Sequence, residues 1–356
     1  MLRVSTLSVA TLILAGACTL QRSAPSTPGF SRSSQLASTG AGMSADEHVA
    51  HMSSADMVAP TATMTVAQQN PTLPASNNGA AERLKNSPRH AEWVKIAYEP
   101  GSADSLMAWV VYPFSKNARQ KAPVVVVVHE IFGLSTWVRG VADQVAADGF
   151  IAVAPDFLSR VRGGPSTVEM PAATARGLIA GVNTGERNTI IKAAANYAMM
   201  LPSAQQKYAV IGYCWGGTTT WAHGVNGGLK GFAGGVAYYG APYTKGGTPA
   251  TATTSAVPAS VDADSLGKIS QPMLMLNGTA DARIAALMPA IDSVMKAKGK
   301  TYTGVNYEGA VHGFLRAQND PRAENRNAAE EAANLAATQD GWPRTIAFLK
   351  QRLGVK

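Results

Sequence analysis

The fold of this chain is decided by one short stretch, Ala209-Val210-Ile211-Gly212-Tyr213-Cys214-Trp215-Gly216-Gly217. The stretch begins as an apolar strand and ends where a helix can start, so Cys214 lies on the turn between the two. Gly212 and Gly216 lack the side chains that would collide in such a strained turn. A strand, a turn and a helix in this order are typical of a G-x-S-x-G nucleophile elbow, here with Cys in place of Ser.

Cys214 has two interpretations. On a sharp turn at the carboxyl edge of a sheet it could act as a nucleophile, because the N-terminus of the following helix favours the thiolate. A buried, inert cysteine beside a glycine turn is the alternative. Acid and base partners elsewhere in the chain distinguish the two.

Two residues later in the chain are suited to activate a nucleophilic thiol. Asp281 follows an apolar strand at 273–276, and His312 follows a further strand at 303–307. Nucleophilic catalysis needs a base that takes the proton of the nucleophile and an acid that orients the base. Because each residue comes at the carboxyl end of a strand, we expect Cys214, Asp281 and His312 to lie together.

The remaining histidines are weaker candidates. His129 is expected to pack at a strand end, and His223 lies on the helix that follows Cys214. His48 and His51 could form a metal pair, but an isolated H-x-x-H in a low-complexity segment is more often accidental. Six histidines and two cysteines without a ligand-like cluster predict neither a metal nor another cofactor.

Apolar strands alternate with segments of helical spacing from residue 96 onward. The predicted strands are 96–98, 106–112, 124–128, 150–154, 209–212, 236–239, 273–276 and 303–307. The predicted helices, besides the one after Cys214, are 138–147, 189–200, 284–298 and 342–353. The first two strands are expected to pair antiparallel, and the five valines at 124–128 are typical of a strand buried on both faces. The pattern predicts an α/β fold with a mostly parallel central sheet flanked by helices.

Residues 1–17 are predicted to be a signal peptide. Met1-Leu2-Arg3 is a short positive region, 9–14 is apolar, and Ala15-Gly16-Ala17 supplies the small residues of a cleavage site. The same small residues before Cys18 also match a permissive lipoprotein box, in which the cysteine is lipidated. Plain export and a structural N-terminal helix are the alternatives. We expect a protein of the bacterial cell envelope, membrane-anchored through Cys18 or otherwise periplasmic or secreted.

Residues 18–88 are predicted to be a flexible tether before a folded domain at 89–356. Small and polar residues dominate the segment, and Phe30 is its one aromatic residue. Such a segment buries too little apolar surface to offset its chain entropy. The tether would connect an anchored Cys18 to the domain.

The charge of the chain gives no sign of a nucleic-acid partner. The net charge is +8 and the isoelectric point is about 9.5, but no run of five or more Lys or Arg residues occurs. Two cysteines exclude a disulfide-dense scaffold, and beyond the N-terminus no apolar run approaches the ~20 residues that span a bilayer.

Residues 93–356 resemble the dienelactone hydrolase family of the α/β-hydrolase superfamily. The resemblance depends on the Cys elbow, on Asp281 and on three short segments, which are His129-Glu130-Ile131-Phe132-Gly133, Ala154-Pro155-Asp156 and His312-Gly313-Phe314. A nucleophile, an acid and a histidine in that chain order are typical of α/β-hydrolases. The resemblance implies the α/β-hydrolase fold and a small-molecule ester or lactone substrate.

The resemblance also implies roles for single residues. Cys214 is then the nucleophile, His312 the base and Asp281 the residue that orients it. Glu130 corresponds to the acidic residue that contacts the thiol. The backbone amides of Ile131 and Trp215 correspond to the oxyanion hole.

Two arginines hold the substrate carboxylate in that family. Arg316 fits one of them, although a surface cation is its plainer interpretation. Arg176 is the nearest candidate for the other, in a segment that does not align cleanly.

Two classes of function follow. The first is a hydrolase of small esters, lactones or thioesters that works through an acyl-enzyme. The second is a non-catalytic envelope binding protein that has kept the fold. A thiol redox protein is a weaker third possibility, because Cys214 has no C-x-x-C partner. The sequence does not indicate an oligomeric state.

The signal and the tether predict that the mature protein begins at a lipidated Cys18. Mass spectrometry of the mature N-terminus in native material measures this directly. An unmodified chain that begins at Met1 would contradict export, and an unacylated chain that begins at Cys18 would contradict lipidation alone.

Overall fold

A computed structural model of the chain describes residues 69–114, 120–165, 170–247, 259–316, 318 and 327–355. The predicted signal peptide, Cys18, His48 and His51 lie outside these residues. No helix within the described ranges is long and apolar enough to cross a membrane.

The centre of the fold is an eight-stranded sheet in the order β1-β2-β4-β3-β5-β6-β9-β10. Its strands are β1 (Ala91–Ala97), β2 (Ser105–Val111), β3 (Ala122–Val128), β4 (Ile151–Pro155), β5 (Ala204–Tyr213), β6 (Phe232–Tyr238), β9 (Met273–Gly278) and β10 (Tyr302–Tyr307). A separate short pair contains β7 (Thr244–Lys245) and β8 (Ser260–Val261). The pairs β1–β2 and β2–β4 are antiparallel, and the other pairs of the sheet are parallel. The predicted, mostly parallel α/β sheet and its antiparallel first pair are confirmed.

Helices cover both faces of this sheet. They are α1 (Ala80–Lys85), α2 (Thr136–Ala147), α3 (Ser159–Arg162), α4 (Ala172–Ala180), α5 (Thr184–Met199), α6 (Trp215–Val225), α7 (Ala263–Gly267), α8 (Ala282–Ala285), α9 (Met288–Ala297) and α10 (Ala328–Leu353). Helix α2 starts where the Ser135 side chain accepts a hydrogen bond from the Val138 amide. The valines of β3 are fully buried, as expected for a strand between two helical layers.

Helix boundaries differ from the prediction most clearly in the last two predicted helices. The predicted helix 284–298 is divided into α8 and α9, because Pro289 in the first turn of α9 has no backbone N–H to donate to the carbonyl of Ala285. The last helix begins at Ala328 rather than at 342, since the Asn327 side chain caps it by accepting a hydrogen bond from the Glu330 amide. Helices α3 and α4 lie in a segment for which no helix was predicted.

The structure corrects the boundary between the predicted tether, 18–88, and the domain, 89–356. Residues 69–88 include α1 and pack on the domain, with Leu73, Ala75 and Ala80 buried in its main hydrophobic core. The Trp137 indole also donates a hydrogen bond to the Ala75 carbonyl. This segment packs on the domain through small side chains and hydrogen-bonded backbone groups. The sequence interpretation expected a packed segment to contain aromatic residues, and this one contains none.

Backbone segments approach each other very closely where β5 turns into α6. A Cβ atom at Gly216 would lie 2.4 Å from the Val128 carbonyl oxygen and 2.6 Å from that of His129. We therefore expect Gly216→Ala to lower the free energy of unfolding by about 1–3 kcal/mol, the usual cost of overpacking.

Urea denaturation measures this change, and Gly177→Ala is the matched control. Gly177 lies within α4 with no atom near the added methyl group, so its replacement should be neutral or slightly stabilising. Equal effects of the two substitutions would contradict the close approach.

Candidate active site

Cys214 lies on the predicted strand–turn–helix at the carboxyl end of β5. Its backbone has φ 55° and ψ −119°, a conformation that few residues other than glycine adopt. The turn is tight because a Cβ at Gly212 would lie 2.0 Å from the Gly216 carbonyl oxygen. The Cys214 amide donates a hydrogen bond to the Tyr238 carbonyl, which holds the turn against β6.

Asp281 and His312 come together at the same edge. The His312 Nδ1 atom lies 2.6 Å from the Asp281 Oδ2 atom, and both side chains are buried. The two loops that carry them touch along their backbones, since the Ala280 amide donates to the Ala310 carbonyl and a Cβ at Gly278 would lie 2.0 Å from that oxygen. The spacing of the pair is therefore fixed by backbone packing.

His312 also interacts with Cys214. Burial alone would lower the pKa of His312. The interaction with Cys214 and the hydrogen bond to Asp281 outweigh burial and raise the pKa of His312 well above its ordinary value. The imidazole thus lies between a thiol and a carboxylate, and this arrangement can move a proton to and from sulfur.

The predicted oxyanion-hole residues are Ile131, which follows β3, and Trp215, which follows Cys214 directly. Trp215 begins α6, and Ile131 lies in a turn. The tight fit of Gly216 against the Val128 and His129 carbonyls brings the end of β3 to the elbow. Both residues are fully buried.

Glu130 and Arg316 form an ion pair across the site. The Arg316 Nη1 atom lies 3.4 Å from the Glu130 Oε2 atom, with side chains 5% and 2% exposed. The interpretation of Arg316 as a surface cation is wrong, because its charge is buried beside Glu130. The sequence predicted Glu130 beside the thiol and Arg316 toward a substrate, but it did not predict that they pair with each other.

Tyr239 packs beside His312 in this site. Its ring centroid lies 4.9 Å from that of His312. Burial raises the pKa of Tyr239 well above its ordinary value, and the charge of Glu130 raises it further. Tyr239 is therefore a neutral phenol next to the ion pair.

Sequence reasoning missed a second buried arginine, Arg187. Its guanidinium carbon lies 4.6 Å from the centroid of the Trp215 ring, and its Nε atom donates to the Val182 carbonyl. The side chain is 9% exposed, and burial lowers its pKa to about 10. Arg176, the predicted candidate, lies on α4 and is half-buried. Arg187 lies in the first turn of α5, and the sequence prediction missed it because that helix was predicted to begin at 189 rather than at 184.

His129 and His223 have structural partners, in line with their weaker standing as bases. The His129 Nε2 atom accepts a hydrogen bond from the Phe157 amide, and burial lowers the pKa of His129. His223 bonds Tyr208 and Asn188, and burial lowers its pKa to about 3. Within the described part of the chain, no group of three or more His, Cys, Asp or Glu residues could hold a metal ion.

Comparison with known proteins identifies relatives of one family. A model of the dienelactone hydrolase family matches residues 109–353. The "Putative carboxymethylenebutenolidase" of Escherichia coli (strain K12) is 26% identical over 295 residues, which cover 82% of this chain and 99% of that protein. The protein of the same name from Synechocystis sp. is 30% identical over 239 residues, 65% of this chain and 87% of that protein.

A solved structure has the same fold. The "Putative Dienelactone Hydrolase from Klebsiella pneumoniae" matches with a TM-score of 0.56 and 23% identity, covering 74% of this chain and 99% of the other. The fold is therefore the α/β-hydrolase fold, as the motif resemblance implied.

The pKa of His312 gives a test of the site. Asp281→Asn removes a hydrogen-bonded carboxylate that raises this pKa, so the NMR titration midpoint of His312 should fall. Asp340→Asn, which removes an exposed carboxylate paired with Arg344, is the control and should leave the midpoint unchanged.

The same shift has a consequence for stability. A raised folded-state pKa contributes stability that is complete below the unfolded pKa of about 6.5 and is lost as pH rises through the folded pKa. Above pH 6.5, wild type should therefore lose more unfolding free energy than Asp281→Asn does. Identical slopes would contradict the coupling between Asp281 and His312.

Proposed function

This chain belongs to the dienelactone hydrolase family, and from that membership and the geometry of the site we propose that it cleaves small esters or lactones with Cys214 as nucleophile. The observation that carries the proposal is the buried series Cys214, His312 and Asp281, in which His312 interacts with the thiol and hydrogen-bonds the carboxylate. Members of the family are ester and lactone hydrolases, and this series supplies a nucleophile, a base and an orienting acid.

The reaction proceeds in two steps. The Cys214 thiolate attacks the substrate carbonyl, and the amides of Ile131 and Trp215 stabilise the oxyanion. His312 then protonates the leaving alcohol, which gives an acyl-enzyme on sulfur. In the second step His312 takes a proton from water, and the resulting hydroxide attacks the acyl group, so that the acid leaves and the Cys214 thiolate recovers its proton from Glu130.

The ion pair between Glu130 and Arg316 supports a carboxylated substrate. A carboxylate that approaches Arg316 competes with Glu130 for the same guanidinium. Glu130, once displaced, can turn toward Cys214 and accept its proton, so substrate binding and thiol activation are coupled. In this proposal Arg187, whose guanidinium is buried against the Trp215 ring, takes the place of Arg176 as the second arginine that binds the substrate carboxylate.

Export and lipidation complete the proposal. The predicted signal peptide and Cys18 would place the hydrolase in the cell envelope, tethered to the membrane by residues that precede residue 69. Outside the tether, the one cysteine is Cys214, so an oxidising compartment offers this thiol no partner within the domain.

Hydrolysis of an activated aryl ester such as p-nitrophenyl acetate tests the proposal. Wild type should release a burst of p-nitrophenol equal to the enzyme concentration, and Cys214→Ala should release none. Glu130→Gln should lower kcat by about 10²-fold, as for a typical acid–base group.

Asp340→Asn is the matched control for Glu130→Gln. Each substitution removes the charge of a carboxylate that pairs with arginine, but Asp340 lies on α10 with an exposed partner. A wild-type protein that binds the ester without a burst would indicate a binding protein and contradict the hydrolase. Normal kcat in Glu130→Gln would contradict the role of Glu130 alone.

A further inference from the structure

The segment 69–80, here called the strap, is hydrogen-bonded to Gln318, which follows the loop that carries His312 and Arg316. The Gln318 side chain donates hydrogen bonds to the carbonyls of Asn70 and Pro74 at 3.1 and 2.8 Å, with a longer one to that of Leu73 at 3.4 Å. Its Oε1 atom accepts a bond from the Asn70 amide at 3.1 Å. Gln318 is buried and lies two residues beyond Arg316. The strap is therefore attached directly to the loop that carries His312 and Arg316.

The strap also binds the opposite side of the site. The Trp137 Nε1 atom donates a 3.1 Å hydrogen bond to the Ala75 carbonyl. The Trp137 ring lies 5.7 Å from the guanidinium carbon of Arg316, and its centroid is 5.3 Å from that of Tyr213, the residue before Cys214. Trp137 is in the first turn of α2, the helix that follows the loop of Glu130.

The hydrogen bonds of the strap to Gln318 and Trp137 lie next to the two loops that carry the buried ion pair. Glu130 lies on the loop between β3 and α2, and Arg316 lies on the loop after β10. A buried ion pair is stable only in good geometry, because each charge loses its water shell. The strap connects the two loops through neutral hydrogen bonds, and so it can keep Glu130 and Arg316 at a fixed spacing.

Backbone strain at Gln318 is a further sign of this role. Its φ of 24° is in the left-handed region, which costs a residue with a side chain free energy unless its surroundings hold it there. The hydrogen bonds to the strap provide that hold. An observed strain of this kind next to a catalytic loop points to positioning.

We propose that Gln318 and Trp137 are positioning residues, through which the strap sets the spacing of the Glu130 and Arg316 loops for catalysis. The proposal rests on the hydrolase function argued above. Neither side chain needs to touch the substrate, since each acts through the residues that it holds.

The experiment compares Gln318→Ala and Trp137→Phe with wild type in full-length protein. The phenylalanine keeps a ring beside Arg316 but loses the bond to Ala75. A displacement of reacting groups by about 1 Å costs on the order of 10²-fold in rate. We expect kcat for p-nitrophenyl acetate to fall at least ~10-fold in both variants, with KM changed much less, because a neutral ester does not need the arginine for binding.

Arg89→Gln is the matched control. It breaks the ion pair between Arg89 and Asp143, which connects the chain just after α1 to α2. It should lower the melting temperature without lowering kcat. An equal loss of kcat in Arg89→Gln, or kcat within twofold of wild type in both strap variants, would overturn the proposal.

A second readout separates this proposal from the hydrolase function. Cys214 is buried, so iodoacetamide should label it slowly in wild type and several-fold faster in Gln318→Ala, as measured on the Cys214 peptide by mass spectrometry. A wild type without esterase activity would contradict the proposed function. In that case an unchanged labelling rate in Gln318→Ala would also overturn the role of the strap.

Discussion

The close backbone packing around the cysteine turn is the constraint on which the rest of the structure depends. A Cβ at Gly212, Gly216 or Gly217 would lie within 2.6 Å of a backbone oxygen of Gly216, Val128 or Tyr238, respectively. Strands β3, β5 and β6 and helix α6 therefore meet with no side chains between them. This contact forces the strained conformation of Cys214 and brings the end of β3, with Glu130 and Ile131, next to the thiol.

The parallel sheet then adds the remaining groups at the same edge. The loops after β9 and β10 carry Asp281 and His312, and their backbones are bonded to each other. The result is an enclosed site in which a thiol, an imidazole and two carboxylates are buried together. Charges in such a place are stable only when paired, and the pairs His312–Asp281 and Arg316–Glu130 satisfy that requirement. A substrate that carries its own charge can exchange with one of these pairs, and the proposed coupling of binding to thiol activation depends on that exchange.

Local sequence patterns predicted the parts of the site that depend on strand ends. Cys214 was recognisable from glycine spacing, and Asp281 and His312 from their positions after apolar strands, because a parallel sheet brings such positions to one edge. The pairing of Glu130 with Arg316 joins residues far apart in the chain, and no local pattern encodes it. The packing of residues 69–80 was missed for a related reason. That segment is bound mainly through backbone carbonyls to Gln318 and Trp137, so its composition resembles that of an unfolded tether.

Covalent trapping tests the central claim, that Cys214 carries the acyl group, most directly. The protein is mixed with an aryl ester whose acyl group is released slowly, quenched in acid and digested for peptide mass spectrometry. We predict one added acyl mass on the peptide that contains Cys214, at a stoichiometry that approaches one per chain and decays with the rate of turnover. Steady hydrolysis with no acyl group on Cys214, or with the group on another residue, would contradict it.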